Sequence, residues 1–495
     1  MIKKTSFSID SKTDTASLTK SVSRHGKIVD TTEFLEKNNL NITEQIFRAN
    51  DIRGIVGKFI NEDIAKLIGQ AIGSEAADRG QQRVLVGFDG RERSPSLANA
   101  LIEGLVASGR HVTNIGLVPT PVLYFGTRTT NIRSGVMITG SHNGPNYNGF
   151  KIVLDGQITM GPDIKNLHER IDSGRLVNGK GSVEISNLKE NYLNAITENI
   201  VISRQLKIVL DCSNGAASVI APDLFRAMGC TVVPLYCDVD GTFPNHMPDP
   251  TQPENLNDLI LAVKLNKADI GVALDGDGDR LVAITPEGEI IWPDRLLMLL
   301  AKDIISRNPG SNVVYDIKCS QHLKKAVASI GGRPIICRSG HAYVKQKMKE
   351  TEAVLGGELS GHVCIAERWY GFDDGIYSAA RIAEILSSKE VDLTEILEEF
   401  PKSYSTPEIY IDVAEEEKIT LLKKFTEAAD FEDAIVTSID GFRVDFEYGW
   451  GLVRASNTQP ALNLRFEADN IAALENIKTT FREILKGIRE DLDFK

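Results

Sequence analysis

A chain of 495 residues, 42% hydrophobic and 25% charged, exceeds what one hydrophobic core can organise, so three or four domains are expected. The formal charge of -12 argues against nucleic acid as a partner, and no apolar run reaches the length of a membrane span. Any anionic substrate must then be met by basic residues gathered in one place against the prevailing field.

Residues 1–43 are polar and rich in Ser, Thr and Lys, with an apolar hint only at Phe34 and Leu35, and they lack the apolar core of a signal peptide. They read as a loosely ordered extension. The six cysteines (Cys212, Cys230, Cys237, Cys319, Cys337 and Cys364) are scattered with no Cys-x-x-Cys pair, so reduced thiols in a cytoplasmic protein are expected rather than a zinc ribbon or a disulfide scaffold.

Three segments repeat one pattern of an apolar run, an Asp and small residues before a helical stretch. They are Val84-Leu85-Val86-Gly87-Phe88-Asp89-Gly90, Ile208-Val209-Leu210-Asp211-Cys212-Ser213-Asn214-Gly215 and Val313-Val314-Tyr315-Asp316-Ile317-Lys318. β-Branched runs bounded in this way predict buried strands in successive α/β domains.

Between the first two of these lies the apolar run Val136-Met137-Ile138, followed by Thr139-Gly140-Ser141-His142-Asn143-Gly144-Pro145-Asn146 and, further on, Lys151. A hydroxyl at a strand end in a Gly-rich loop can serve as a nucleophile or phosphate carrier, and a cation nearby suits a phosphoryl group. The same residue types also make an ordinary turn.

Asp275-Gly276-Asp277-Gly278-Asp279-Arg280 connects two apolar strands, Ile270 to Leu274 and Leu281 to Ile284. Three carboxylates on alternate residues repel one another unless a hard cation neutralises them. An EF-hand requires Gly and Glu where this chain has Arg280 and Pro286, and oxygen-only ligands in a compact site favour Mg²⁺.

Further on, Gly356-Gly357-Glu358-Leu359-Ser360-Gly361-His362 offers a carboxylate and a hydroxyl two residues apart that could grip adjacent sugar hydroxyls, or a simple polar turn. Arg454-Ala455-Ser456-Asn457-Thr458-Gln459-Pro460 combines a guanidinium, two hydroxyls and an amide between strands, a candidate cradle for a phosphate dianion. Leu462, Leu464 and Phe466 alternate with Asn463 and Arg465, which predicts a strand with one buried face. Ile471, Leu474, Ile477, Phe481 and Ile484 then predict the core-facing stripe of a final helix.

These four loops, in this order, resemble those of the α-D-phosphohexomutase superfamily, and most of all its bacterial phosphomannomutase/phosphoglucomutase branch, from Phe47-Arg48-Ala49-Asn50-Asp51-Ile52-Arg53-Gly54 to the last helix. The resemblance implies three similar α/β domains with mixed sheets plus a smaller C-terminal α+β domain around a central cleft. On this chain they fall at residues 44–186, 187–289, 290–401 and 402–495, each giving one loop. It implies that Ser141 is a phosphoserine and that Asp275, Asp277 and Asp279 bind one Mg²⁺ together with it. Glu358 and Ser360 would read the sugar O3 and O4 hydroxyls, and Arg454, Ser456, Asn457 and Thr458 would hold the non-reacting phosphate. Arg53, Lys151, Arg280, Lys318, His341 and His362 match the basic residues lining the family's cleft, with Lys151 and His362, and His341 in reserve, as candidates for moving a proton.

The implied activity interconverts hexose 1-phosphate and hexose 6-phosphate, of mannose and/or glucose, through hexose 1,6-bisphosphate. A loop that reads O3 and O4 ignores C2, so both sugars are expected. Phosphoglucosamine mutase is the alternative on the same fold, disfavoured because Leu359 stands where that group usually has Gln; a non-catalytic phosphosugar or metal binder is the other. Two positions depart from the common pattern: Asn50 where Tyr is usual, and Gly144 where Pro is usual, the latter expected to loosen the serine loop. The partner implied is a small phosphosugar, with neither nucleic acid nor membrane; the oligomeric state stays open and is compatible with a monomer.

Overall fold

The three β-branched runs that end in Asp form interior strands, Arg83–Phe88, Lys207–Asp211 and Asn312–Asp316, each in a different mixed sheet. The computed structural model describes residues 42–431, 433–456 and 460–494. Nearly all of the N-terminal extension, together with Asn457 and Thr458 of the expected phosphate cradle, lies outside the described residues.

One local rule repeats through the first three sheets. Each Asp-ending strand pairs in parallel with a second buried strand: Gly135–Ile138, Ile270–Leu274 or Leu355–Gly357. The chain then reverses and returns antiparallel along Tyr147–Leu154, Leu281–Ile284 or Val363–Ile365. The reversals are the serine loop, the aspartate loop and the Glu358 loop. Helices such as Ser94–Ala107, Asn257–Asn266 and Pro293–Arg307 pack on these sheets and supply the apolar faces that strands buried on both sides require.

The fourth sheet is antiparallel throughout, in the order Tyr404–Ser405, Ala461–Ala468, Gly449–Ala455, Phe442–Phe446, Ile435–Thr437, with Ile409–Asp412 also pairing to Ala461–Ala468. The architecture is thus three α/β/α domains with mixed sheets and a C-terminal domain with an antiparallel sheet.

Two expectations for the last domain need correction. Asn463 and Arg465 were expected on a solvent face, yet both are buried, as is Glu467. They share a sheet face with Trp450, Leu452 and Arg454 through the register Trp450↔Glu467, Leu452↔Arg465 and Arg454↔Asn463. That face docks on the third domain: Trp450 and Leu452 cluster with Ile317, Ser320 Oγ donates to Glu467 at 2.6 Å, and Arg443 donates to the carbonyls of Ile317 and Cys319. In the helix Ile471–Ile488 the buried stripe is Leu474, Ile477, Phe481 and Leu485; Ile471 is exposed and Ile484 only half-buried. From Phe481 the helical spacing reaches both Ile484 at i+3 and Leu485 at i+4; Leu485 sits in the core and Ile484 packs at its margin.

Candidate active site

The serine loop is held by its backbone. Asp89, one residue past the strand Arg83–Phe88, accepts from Thr139 Oγ1 at 2.8 Å and from Gly140 N at 3.2 Å. Its other task is to orient Arg91, whose Nε bonds Asp89 at 3.0 Å and whose terminal nitrogens donate to the carbonyls of Ser141 (2.7 Å), Asn143 (2.6 Å) and Gly144 (2.6 Å). Gly144, expected to loosen the loop, is therefore tied down through its carbonyl. Arg53 adds a bond to Asn143 Oδ1 at 2.8 Å and pairs with Asp51. Ser141 sits in the left-handed region at φ +49°, a conformation that costs a non-glycine residue about 1 kcal/mol and that surrounding bonds must enforce.

Held this way, Ser141 meets the second domain. Its Oγ donates to Asp275 Oδ2 at 3.0 Å, and both residues are buried. The approach is so close that a Cβ on Gly276 would stand 2.6 Å from the Ser141 carbonyl, so glycine is required there. Asp275 Oδ1 accepts from the backbone of Asp279 (3.0 Å) and Arg280 (3.1 Å), which curls the loop until all three carboxylates converge with ligand atoms within 4.8 Å of one another.

Lys151 arrives from the neighbouring strand, where it stands opposite Met137, and donates to Asp277 Oδ2 at 2.7 Å and to Asp279 Oδ2. Thr120 Oγ1 also bonds Asp277, at 2.5 Å. Among the described residues Asp277 Oδ1 is buried with no hydrogen-bond donor, and Asp279 Oδ1 has only the long 3.4 Å approach of His362 Nε2. Buried carboxylate oxygens left over after every local donor is used are what a hard cation would coordinate, so this donor set fits a metal site.

The charges are divided unequally. Burial and repulsion from Asp277 and Asp279 hold the Asp275 carboxyl well above its ordinary range. Burial opposes ionisation of Asp277 and Asp279 too, but Lys151 outweighs it and both are lowered. The same acids overcome the burial of Lys151 and raise it, so it stays an ammonium.

His362 joins this centre to the Glu358 loop. Its Nε2 lies 3.4 Å from Asp279 Oδ1, and its Nδ1 bonds Glu358 Oε2 at 2.9 Å. Burial and Arg280 pull the imidazole down, but these two carboxylates push it up to about 9. Glu358 is held to about 2, against its burial, chiefly by His362. Residues 358–362 form a tight turn, closed by Glu358 N donating to His362 O at 2.9 Å, and the turn places Ser360 Oγ 3.0 Å from His362 Nδ1. Asp316 braces it through Leu359 N at 3.2 Å, much as Asp89 braces the serine loop.

His341 stacks on His362, with centroids 4.9 Å apart and planes 19° from parallel, and bonds Asp373 Oδ2 at 2.7 Å. These two histidines and Asp373 are close enough to be considered as a second metal site. Stacked rings direct their in-plane lone pairs along parallel lines, and Lys345 already pairs with Asp373, so they do not fit one ion.

Lys318 and Arg454 form a separate group. Lys318 pairs with Glu408 Oε1 at 3.2 Å and Arg454 with Asp440 Oδ2 at 2.9 Å, and both cations are buried. Asp440 also accepts from Ser339 N at 3.0 Å, and Gly340 N donates to Glu358 Oε1 at 2.6 Å, which ties this group to the Glu358 loop through two backbone amides. The buried Ser456 begins the reversal between the last two strands, and Lys418 donates to its carbonyl at 2.8 Å. Arg280 lies beside His362 as an isolated bridge, 3.9 Å from Asp275 Oδ2.

Sequence reasoning missed Arg91, Thr120, Lys345 and Asp373. The first carried a usable signal, since Arg91 follows directly on the Asp89-Gly90 that ends a predicted strand.

Four family models match in register along the chain: the α/β/α domains I, II and III of phosphoglucomutase/phosphomannomutase at residues 44–177, 190–288 and 292–404, and their C-terminal domain at residues 408–484. The chain is 52% identical over 447 residues to a Pseudomonas aeruginosa phosphomannomutase/phosphoglucomutase, covering 90% of this chain and 96% of that one. It is 45% identical over 451 residues to a Neisseria meningitidis phosphoglucomutase, covering 90% and 98%. A crystal structure of a phosphoglucomutase/phosphomannomutase family protein from Burkholderia thailandensis superposes with a TM-score of 0.87 at 45% identity, covering 90% of this chain and 98% of that one.

Proposed function

We propose that this chain, which belongs to the phosphoglucomutase/phosphomannomutase family, interconverts the 1- and 6-phosphates of mannose and glucose through a phosphorylated Ser141 and a hexose 1,6-bisphosphate. The observation that carries this reading is the contact of Ser141 Oγ with Asp275, inside a buried acid cluster in which, among the described residues, Asp277 Oδ1 has no donor. Phosphoryl transfer needs in-line positioning and charge stabilisation more than covalent help.

Asp275, Asp277 and Asp279 would hold Mg²⁺, whose chemistry when bound is to neutralise charge on the phosphoryl oxygens. Lys151, kept cationic by the same acids and bonded to two of them, contributes fixed positive charge beside the metal position. Arg53, bonded to the serine loop, adds a second cation. His362, pushed up to about 9, would hand a proton to the oxygen losing its phosphoryl group and regain one from the hydroxyl that attacks, so that each half-reaction leaves it protonated. His341, fixed by Asp373, orients it by stacking.

Glu358 and Ser360 grip O3 and O4, and Lys318, Arg454, Ser456, Asn457 and Thr458 take the phosphate that is not reacting. A sugar turned about an axis between O3 and O4 presents the same hydroxyls in both orientations, so one site serves both transfers.

Coupled assays with mannose 1-phosphate, glucose 1-phosphate and glucosamine 1-phosphate test the substrate class. Turnover of the first two within about tenfold of each other, and of the third at least about a hundredfold slower, is expected. Preference for the amino sugar overturns the assignment. Intact-mass measurement of Ser141→Ala should show no carried phosphate and a loss of turnover of at least about a thousandfold; undiminished phosphate places the phosphosite elsewhere.

A further inference from the structure

Cys212 directly follows the strand Lys207–Asp211, and Cys237 lies two residues past Thr231–Leu235. These strands are parallel neighbours with Asp211 opposite Leu235, so both thiols emerge at the same end of the second sheet. Their sulfurs are 3.3 Å apart. Cys212 is fully buried and Cys237 only half-buried, which leaves Cys237 as the member that a small reagent reaches. The other four cysteines are buried, and among the described residues none has a second sulfur within hydrogen-bonding distance.

We propose that Cys212 and Cys237 are an oxidisable dithiol, converted to a disulfide by peroxides, whose closure displaces the loop that supports the aspartate cluster. The two thiols are unequal: the hydrogen bond they share lowers Cys237, while burial raises Cys212. Cys237 as thiolate attacks one peroxide oxygen; the S–O bond forms, the O–O bond breaks, and the departing hydroxide is protonated to water. The Cys212 sulfur then attacks the Cys237 sulfenic acid; the S–S bond forms, the S–O bond breaks, and the Cys212 proton leaves with the hydroxide as a second water. Two thiols lose two electrons and the peroxide gains them.

The mechanical link is short. A disulfide needs its sulfurs at about 2.05 Å, so a pair that rests at 3.3 Å must close by more than an ångström. Cys212 cannot move without its loop, where Ser213 and Asn214 hold left-handed φ values of 51° and 53°. Ser213 Oγ donates to Leu274 O at 2.7 Å, and Ala216 N donates to Gly276 O at 2.9 Å, both directly beside Asp275. On the Cys237 side, Tyr236 (φ 51°) accepts from Asn214 N at 2.8 Å, so the two loops are already stitched together.

Formation of the disulfide is independent of the catalytic reading; its effect on Mg²⁺ rests on that reading. The full-length protein would be treated with hydrogen peroxide, then alkylated, digested and mapped by mass spectrometry, with the Mg²⁺ dependence of turnover measured in parallel. The expected result is loss of two of the six thiols, a linked Cys212–Cys237 peptide reversed by dithiothreitol, and a Mg²⁺ half-saturation raised at least threefold. Cys237→Ser should keep its untreated Mg²⁺ dependence after peroxide, and Cys237→Ala should behave alike. Six titratable thiols after treatment, or sulfinic acid at Cys237 without a linked peptide, overturns the dithiol. A linked peptide with unchanged Mg²⁺ dependence overturns the coupling to the aspartate loop, while the disulfide stands.

Discussion

At the serine end, Lys151 bonds Asp277 and Asp279, Arg280 lies 3.9 Å from Asp275, His362 lies 3.4 Å from Asp279, and among the described residues Asp277 Oδ1 has no donor. At the far end each cation already has its own acid, Lys318 with Glu408 and Arg454 with Asp440. The first region stays unbalanced, because the four acids Asp275, Asp277, Asp279 and Glu358 are met by three cations, Lys151, Arg280 and His362. In the second, on the proposed reading, a phosphate dianion would displace carboxylates from donors that are already in place. If reaction is placed at the first region and binding at the second, as proposed, the two should respond differently to removal of a single charge.

The largest expected effect comes from disturbing the unbalanced end. Asp277→Asn removes an acid that bonds both Lys151 and Thr120. Mg²⁺ half-saturation should rise by about a hundredfold, with kcat falling by about a thousandfold even at saturating metal; an unchanged Mg²⁺ titration would remove the aspartate loop from the chemistry. Next is Arg91→Lys. An ammonium cannot span the carbonyls of Ser141, Asn143 and Gly144 together with Asp89. The serine should lose its alignment, at a cost of about a hundredfold in kcat with little change in KM. A rise in KM alone would place Arg91 in substrate binding rather than in serine positioning. Smaller again, Arg454→Ala should raise KM by about ten- to a hundredfold, as loss of a charged hydrogen bond does, and leave the Mg²⁺ dependence untouched. A kcat loss as deep as that of Asp277→Asn would erase the distinction between the two ends.

The unbalanced end was the more legible in the sequence. Asp275, Asp277 and Asp279 stand on alternate residues between two apolar strands, and the strands Ile270–Leu274 and Leu281–Ile284 fall where that pattern puts them. The recurring strand-then-Asp pattern also pointed to real bracing residues, since Asp89 and Asp316 each hold a neighbouring functional loop. What it could not give was tertiary pairing. Arg91 acts on carbonyls about fifty positions away, and Thr120 acts across a domain boundary. Asn463 and Arg465 alternate as a solvent face should, and are buried because another domain covers that face, which periodicity within one strand cannot register. Of the fourth loop, Arg454 and Ser456 are among the described residues and Asn457 and Thr458 are not.

The smallest expected effect on rate, and the sharpest on stability, lies at the seam between the regions. Asp374 caps the helix Gly375–Ser387, whose Gly375 N donates to Gly278 O in the aspartate loop at 3.2 Å, while its neighbour Asp373 holds His341 and Lys345. Asp374 accepts from Tyr192 Oη, Trp369 Nε1 and Tyr377 N, but burial outweighs these donors and pushes the carboxyl up to about 7. A folded value above the unfolded one means that the native state keeps the proton more tightly. This contribution to stability is therefore complete below the ordinary carboxyl range and is lost as pH rises towards 7, by an amount on the order of 4 kcal/mol for a shift of this size. Asp374→Asn cannot titrate, so its Tm measured between pH 4 and 7 should lack the decline contributed by this group, while kcat and KM at pH 7.5 stay within about threefold of the parent. A parent and variant whose Tm values run parallel across that range would show that Asp374 is ionised in the fold, and that the seam is held by charge rather than by a buried acid.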